Sequence, residues 1–298
     1  MNAFLGAAVD GILYAAWLFN IAVGLTLIYG VMKILNMAHG TFYAIGAYLG
    51  ATLLGLWFSS GLPPLGSLAM IPVAALVAGL AVGVAVERGV LRIFAGRDPV
   101  VLLLVTYALF LILEDGIKLI WGVDPYVVSE PMWLLGTVRI GPLVYPAYNL
   151  LTVAAAILVG VGLTWFLQFT SRGKILRAVI HDEEVSHAMG IPVSRWKLSA
   201  FVVGTGLAAL GGALTAPTVS VVPGMGVEVI VMMFAVVVIG GLGSIPGTVV
   251  GALIVGLVRS AAVHYWPEVE LFSIYAVMAL VLAVRPKGLF SGVELRKI

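Results

Sequence analysis

GLTLIYGVMKILNMAHGTFYAIGAYLG, residues 24–50, carries two apolar runs joined by a short polar turn, and the fold follows from how it is read. The first run reaches back to about residue 9 and the second continues to about residue 58. Each is close to the roughly 20 apolar residues that cross a bilayer. Between them stand Lys33, the first Lys or Arg of the chain, and then Asn36 and His39. Such side chains satisfy backbone groups freed at helix ends, which lipid cannot do. The stretch therefore predicts two membrane helices and the turn between them.

The same pattern recurs along the chain. Apolar segments lie near 9–31, 40–58, 66–86, 99–121, 147–169, 198–221, 228–243, 247–265 and 270–285. Of the 298 residues, 62% are hydrophobic and 10% charged, and the mean hydropathy is +1.15. A soluble domain would carry about 25% charge and about 45–50% apolar residues. Nine spans of roughly 20 residues use about 180 positions, which leaves no room for a separate soluble domain. The expected fold is an all-α membrane protein, a polytopic helical bundle of about nine spans (eight to ten), forming one domain over 1–298. The seventh segment is short and ends in Gly240, Gly241 and Gly243 before Pro246 and Gly247. A broken or re-entrant helix is expected there, since irregular backbone survives at membrane depth only inside protein or beside a water-filled cavity.

Lys and Arg set the orientation. Lys33, Arg88, Arg92, Arg97, Arg172, Lys174, Arg177, Arg195, Lys197, Arg285, Lys287, Arg296 and Lys297 fall on one side, thirteen in all. The other side has only Lys118 and Arg139, beside Asp10, Asp124, Glu130, Glu228, Glu268 and Glu270. The rich side is expected to be cytoplasmic, with the N-terminus outside and the C-terminus inside. Lys33 comes too late for the basic region of a secretory signal, so the first segment reads as a retained span. With no cysteine, disulfides and thiolate metal sites are excluded. The net charge of +2 gives no argument for a nucleic-acid partner.

Two loops are long: 122–146 outside, rich in proline and aromatics, and 170–197 inside. Within ILRAVIHDEEVSHAMGIPVSRWK (175–197), Asp182 suits an N-cap, and Glu183 and Glu184 suit the positive end of a helix dipole. Gly190 suits a left-handed C′ position before Pro192. A two-turn helix is expected at 183–189, with Ala188, Met189 and Ile191 as a small apolar tip. That tip either packs on its own bundle or seats in a groove of a cytoplasmic ATPase. The chain cannot hydrolyse ATP itself: GLGSIPGT has glycines but no phosphate-loop lysine. No metal site is expected, as His181 and His187 lack a third nearby histidine and read as solvated loop residues. Gly46/Gly50, Gly79/Gly83 and Gly247/Gly251 are small-xxx-small pairs that let helices approach closely. Glu114 and Lys118 are spaced for a local ion pair. Arg259, midway along the eighth segment, can snorkel, pair with a carboxylate or face a translocation path.

At these residues a resemblance becomes specific. The turn Asn36-Met37-Ala38-His39-Gly40 resembles the N-F-A-H-G-like turn of branched-chain amino acid ABC permeases. RAVIHDEEVSHAMGIPV (177–193) resembles that family's coupling segment. Gly240, Gly241, Gly243, Ser244 and Gly247 match its G-G-x-G-S-x-x-G signature, and RPKGLF (285–290) its R-P-x-G-L-F close. The order of the four blocks is similar to the LivH-type subunit. The resemblance implies a second, LivM-type permease chain, two cytoplasmic ABC ATPases carrying ATP and Mg, and a periplasmic solute-binding protein, all at a bacterial inner membrane. It also implies a solute among branched-chain amino acids, urea, short amides and aromatic acids, and no cofactor bound by this chain. The competing class is an ion-coupled secondary transporter or channel, which needs a mid-membrane ion site. An intramembrane enzyme lacks its motifs.

Overall fold

The computed structural model describes residues 2–290; Arg296 and Lys297 of the basic tally lie outside them. Helices α1 (Asn2–Met32) and α2 (His39–Ser59) are the two spans expected from residues 24–50, joined by a short turn. A third span, Pro64–Leu91, starts in a 3₁₀ turn and contains α3 (Met70–Ala78) and α4 (Val84–Val86). It winds into π-type turns at Gly79–Gly83 and Glu87–Leu91. Helix α5 (Pro99–Trp121) follows, capped by the Asp98 carboxylate, which accepts from Val100 N at 2.8 Å. Next come the short α6 (Glu130–Leu134) and an antiparallel hairpin of β1 (Thr137–Ile140) and β2 (Leu143–Pro146). Then follow α7 (Tyr148–Phe169), α8 (Ser171–His181), α9 (Glu183–Ala188), α10 (Val193–Thr215), α11 (Met225–Gly240), α12 (Ile245–Tyr265) and α13 (Glu270–Val284).

Among the described residues eight helices are long and apolar enough to cross a bilayer, and Met225–Gly240 is a shorter apolar one. At about 1.5 Å per residue, the 16 residues of α11 reach about 24 Å, short of the roughly 30 Å hydrocarbon core. Its ends meet irregular backbone instead: Val221 pairs with Tyr126 before it, and Gly241 (φ 107°) and Gly243 (φ 80°) turn the chain after it. The break expected near 240–247 is therefore a helix end followed at once by α12. Helix α10 stops at Thr215, earlier than the expected 221, and α1 begins seven residues before the expected start at 9.

The bundle is organised around α1, which packs on α12, α10, α7 and α11, while α2 packs on α10, α3 and α11. Helix α1 is the most deeply buried, and α7 and α13 lie at the periphery. With no hydrophobic drive between helices in lipid, close backbone approach supplies the packing. The three glycine pairs sit at such seams: Gly46 and Gly50 face Ala209 and Ala213, Gly79 and Gly83 face Gly206 and Val202, and Gly251 faces Gly240. A methyl group at Gly50 would lie 2.9 Å from Ala213 Cα.

Candidate functional site

The ends of the bundle differ in character. At the basic end the Gly240–Gly247 and 285–290 blocks lie together, and the 36–40 block runs from there into the bundle. Asn36 and His39 are buried in the α1–α2 turn. Asn36 Oδ1 accepts from Ala38 N at 3.1 Å, and His39 Nε2 lies 3.3 Å from Ile21 O on α1. Lys33 closes α1 in the left-handed region (φ 57°), and burial pushes its ammonium below the ordinary lysine range. Gly40 lies against the backbone of Gly226. The turn after α11 packs on α1, where a methyl group at Gly243 would stand 3.1 Å from Gly30 Cα. Ser244 caps α12 by accepting from Gly247 N at 3.1 Å. Phe290 covers Gly241, and Leu289 N and Phe290 N donate to Ile239 O and Gly240 O, each at 2.9 Å. These glycines make close backbone contacts; no chemistry resides in them.

The fourth block stands out from that end. Asp182 Oδ1 accepts from Val185 N at 2.9 Å and starts α9, with Glu183 and Glu184 in its first turn. Gly190 ends it at φ 80°. Ala188, Met189 and Gly190 are exposed, Met189 by 76%, and Ile191 is half-buried. Two features differ from expectation. The loop also contains α8, an amphipathic helix whose Leu176 and Val179 are buried while Arg172, Lys174 and Arg177 are exposed. And Glu183 is ion-paired with Lys197 at 2.6 Å, so its carboxylate does more than face the helix dipole.

At the opposite, acidic end α1, α7, α10, α12 and the β-hairpin surround a cavity of about 400 Å³. Asp10, Tyr14 and Trp17 line it from α1, Tyr145 from β2, and Arg259 and His264 from α12. The Tyr145 hydroxyl donates to Asp10 Oδ1 at 2.8 Å, and Asp10 Oδ2 lies 3.4 Å from His264 Nε2. Burial, the Asp10 hydrogen bond and the Asp10 charge push the Tyr145 phenol up to about 12. Arg259 pairs with Glu270 at the start of α13, and its guanidinium carbon stands 4.1 Å over the Tyr14 ring. Its Nε is buried with no acceptor among the described residues. Trp17 Nε1 donates to Thr215 Oγ1 at 2.8 Å, and Tyr14 OH to Met232 Sδ at 3.0 Å. Arg259 thus takes one of the roles its position allowed, pairing with a carboxylate, and it also lines this cavity. The expected Glu114–Lys118 pair does not form. Lys118 pairs with Asp115 at 2.9 Å, and Glu114 is buried and accepts from Gly224 N, where α11 begins. A buried carboxylate gains more from unpaired amides at a helix start than from an exposed ammonium.

The family profile described as branched-chain amino acid transport system / permease component matches residues 7–283. The chain is 28% identical to the high-affinity branched-chain amino acid transport system permease protein BraD of Pseudomonas aeruginosa, covering 99% of this chain and 98% of that one. It is equally similar, over the same shares, to the LivH permease protein of Escherichia coli strain K12. The probable LivH permease of Methanocaldococcus jannaschii is 27% identical, over 96% of this chain and 92% of that protein. No solved structure matches.

Proposed function

This chain belongs to the family of permease components of branched-chain amino acid transport systems, and from that premise we propose that it is the LivH-type half of an ATP-driven importer for amino acids with apolar side chains. ATP is bound with Mg and hydrolysed on two cytoplasmic ABC subunits, a LivM-type chain completes the membrane gate, and a periplasmic binding protein delivers the solute. The assembly sits in a bacterial inner membrane, with the basic end cytoplasmic by the bias of Lys and Arg.

The observation that carries this reading is the exposed α9 with its apolar tip. A short helix capped at both ends, held out from the bundle with Met189 in the open, has the form of a knob that a partner protein covers. Neighbouring Arg195 and Lys197 and the exposed face of α8 make the surrounding surface basic. Force applied to α9 passes directly into α8 and α10, its neighbours in chain and in space. The apolar-lined cavity at the far end, with charges of both signs, supports amino acids over the other solutes of the family. Arg259 does not favour anions, because Glu270 already neutralises it.

The test is Ala188→Asp in the reconstituted four-component transporter. An unpaired charge in a contact that excludes water costs several kcal/mol, so the complex should assemble poorly and loaded binding protein should fail to stimulate ATP hydrolysis. Gly190→Val should act the same way more weakly, since left-handed backbone costs a Cβ residue about 1–2 kcal/mol. Glu184→Gln is the matched control, as Glu183 is ion-paired. Wild-type ATPase stimulation in Ala188→Asp would remove the coupling role, and uptake by this chain alone would favour the ion-coupled class.

A further inference from the structure

The cavity at the acidic end has room for a small solute. Its volume of about 400 Å³ falls within the roughly 300–1,000 Å³ of small-molecule sites. It offers one carboxylate and one guanidinium, both on fixed helices, plus an apolar wall of Leu13, Trp17, Leu214 and Val263. Asp10 and Tyr14 are separated by one turn of α1, about 6 Å, and Tyr14 lies under Arg259. An α-amino acid headgroup has N–Cα and Cα–C bonds of about 1.5 Å, and a hydrogen bond of about 2.8–3.0 Å at each end lets it bridge such poles.

Both poles have capacity to spare. A carboxylate has about four lone-pair sites, and Asp10 uses one for Tyr145 and shares another with His264. Arg259 has five N–H donors, and its contact with Glu270 runs through Nη2. The cavity wall itself carries one charge of each sign, the Asp10 carboxylate and the Arg259 guanidinium. A solute with net charge would enter uncompensated, at a cost in a partly dehydrated site. A solute with no net charge but two opposite poles would not.

We propose that this cavity is a subsite for a zwitterionic α-amino acid, with Asp10 receiving the ammonium, Arg259 the carboxylate, and Leu13, Trp17, Leu214 and Val263 the apolar side chain. Tyr145, carried by the β-hairpin, occupies Asp10 until the solute arrives and closes the cavity from the side of the long loop. The proposal rests on the permease reading above and adds to it the place and chemistry of a solute contact within this chain.

The chain has no native cysteine, so Val263→Cys in the complete transporter in lipid nanodiscs gives a reporter on the cavity wall. The measurement is its alkylation rate by a maleimide against concentration of L-leucine, of 3-methylbutylamine, which lacks the carboxylate, and of 4-methylpentanoate, which lacks the amine. L-leucine should slow labelling, and each single-pole analogue should need about ten- to hundredfold more, the loss expected for one charged hydrogen bond. Asp10→Asn should abolish the preference for L-leucine over 4-methylpentanoate, and the Arg259→Gln/Glu270→Gln pair its preference over the amine. If Val263→Cys does not assemble, Thr218→Cys, also on the wall, replaces it. Equal protection by all three compounds, or none by L-leucine, overturns the subsite. Leucine uptake by the same complex in vesicles separates the two failures: unprotected cysteine with intact uptake refutes the cavity alone, whereas absent uptake refutes the amino-acid reading too.

Discussion

The acidic and basic ends of this bundle are closed by different kinds of contact. At the acidic end, Tyr145–Asp10–His264 and Arg259–Glu270 join separate segments through side chains. Such bonds can exchange partners with water or a ligand at little net cost. At the basic end Gly243 lies on Gly30, and Gly241 on the backbone of Phe290. Packed backbone has no alternative partner, and close-packed interiors transmit strain instead of absorbing it. This division suits the function proposed above, with solute taken at one end and an ATPase acting at the other. The exchangeable contacts surround the cavity, and the rigid ones join α1, the turn after α11 and residues 289–290.

The comparison depends first on the two ends facing opposite sides of the membrane, and the largest effect expected is all-or-none. Cysteines at Gly61 and Glu130 should react with an impermeant thiol reagent applied to intact cells, and one at Arg177 should not. Labelling of Arg177→Cys from outside would invert the picture. Next in size is Gly241→Val, which places a Cβ at φ 107° against the Phe290 backbone. Left-handed strain of about 1–2 kcal/mol and overpacking of about 1–3 kcal/mol should sharply lower the thermal midpoint of the purified chain in detergent. The smallest effect belongs to the other end. Tyr145→Phe removes one hydrogen bond, worth about 1 kcal/mol, and should shift that midpoint far less. Because the folded chain holds the phenol up to about 12, against an ordinary value of about 10, this contribution is complete below pH 10. It should fade as pH rises from about 10 to about 12, and Tyr145→Phe should remove that dependence. If Tyr145→Phe costs as much as Gly241→Val, the distinction between the ends fails.

Spans were readable from sequence because a bilayer requires a long apolar run, and such runs survive any tertiary context. Two caps were readable for a similar reason: Asp182 and Gly190 act on backbone within three residues of themselves, as do Asp98 and Ser244, whose caps the structure added. Helix α8 was missed because Arg172, Lys174 and Arg177 make it polar, and its buried side, Leu176 and Val179, is too narrow to mark a span. The β-hairpin was hidden by prolines that read as loop, although Gly141 at φ 61° supplies its turn. Long-range pairs left no local sign. Glu114 has Lys118 one turn away, yet takes Gly224, 110 residues on. The cavity draws Asp10, Tyr145 and His264 from three distant segments, and no spacing in the chain announces their meeting.

The pairing of Leu289 and Phe290 with Ile239 and Gly240 also has a consequence in time. Helix α11 is short, and the amides of a later segment occupy the last carbonyls it leaves open. Helix α1 depends likewise on α12 for much of its packing. At about 5–20 residues per second of synthesis, the first helix to enter the membrane waits on the order of ten seconds or more for the neighbour that buries it, and the end of α11 waits for residue 290. Until then the seams lined with glycine stand open to lipid. Assembly of this bundle is therefore a closing event at the end of translation, and a released chain cut short before residue 288 would have its spans inserted and its basic end unsealed.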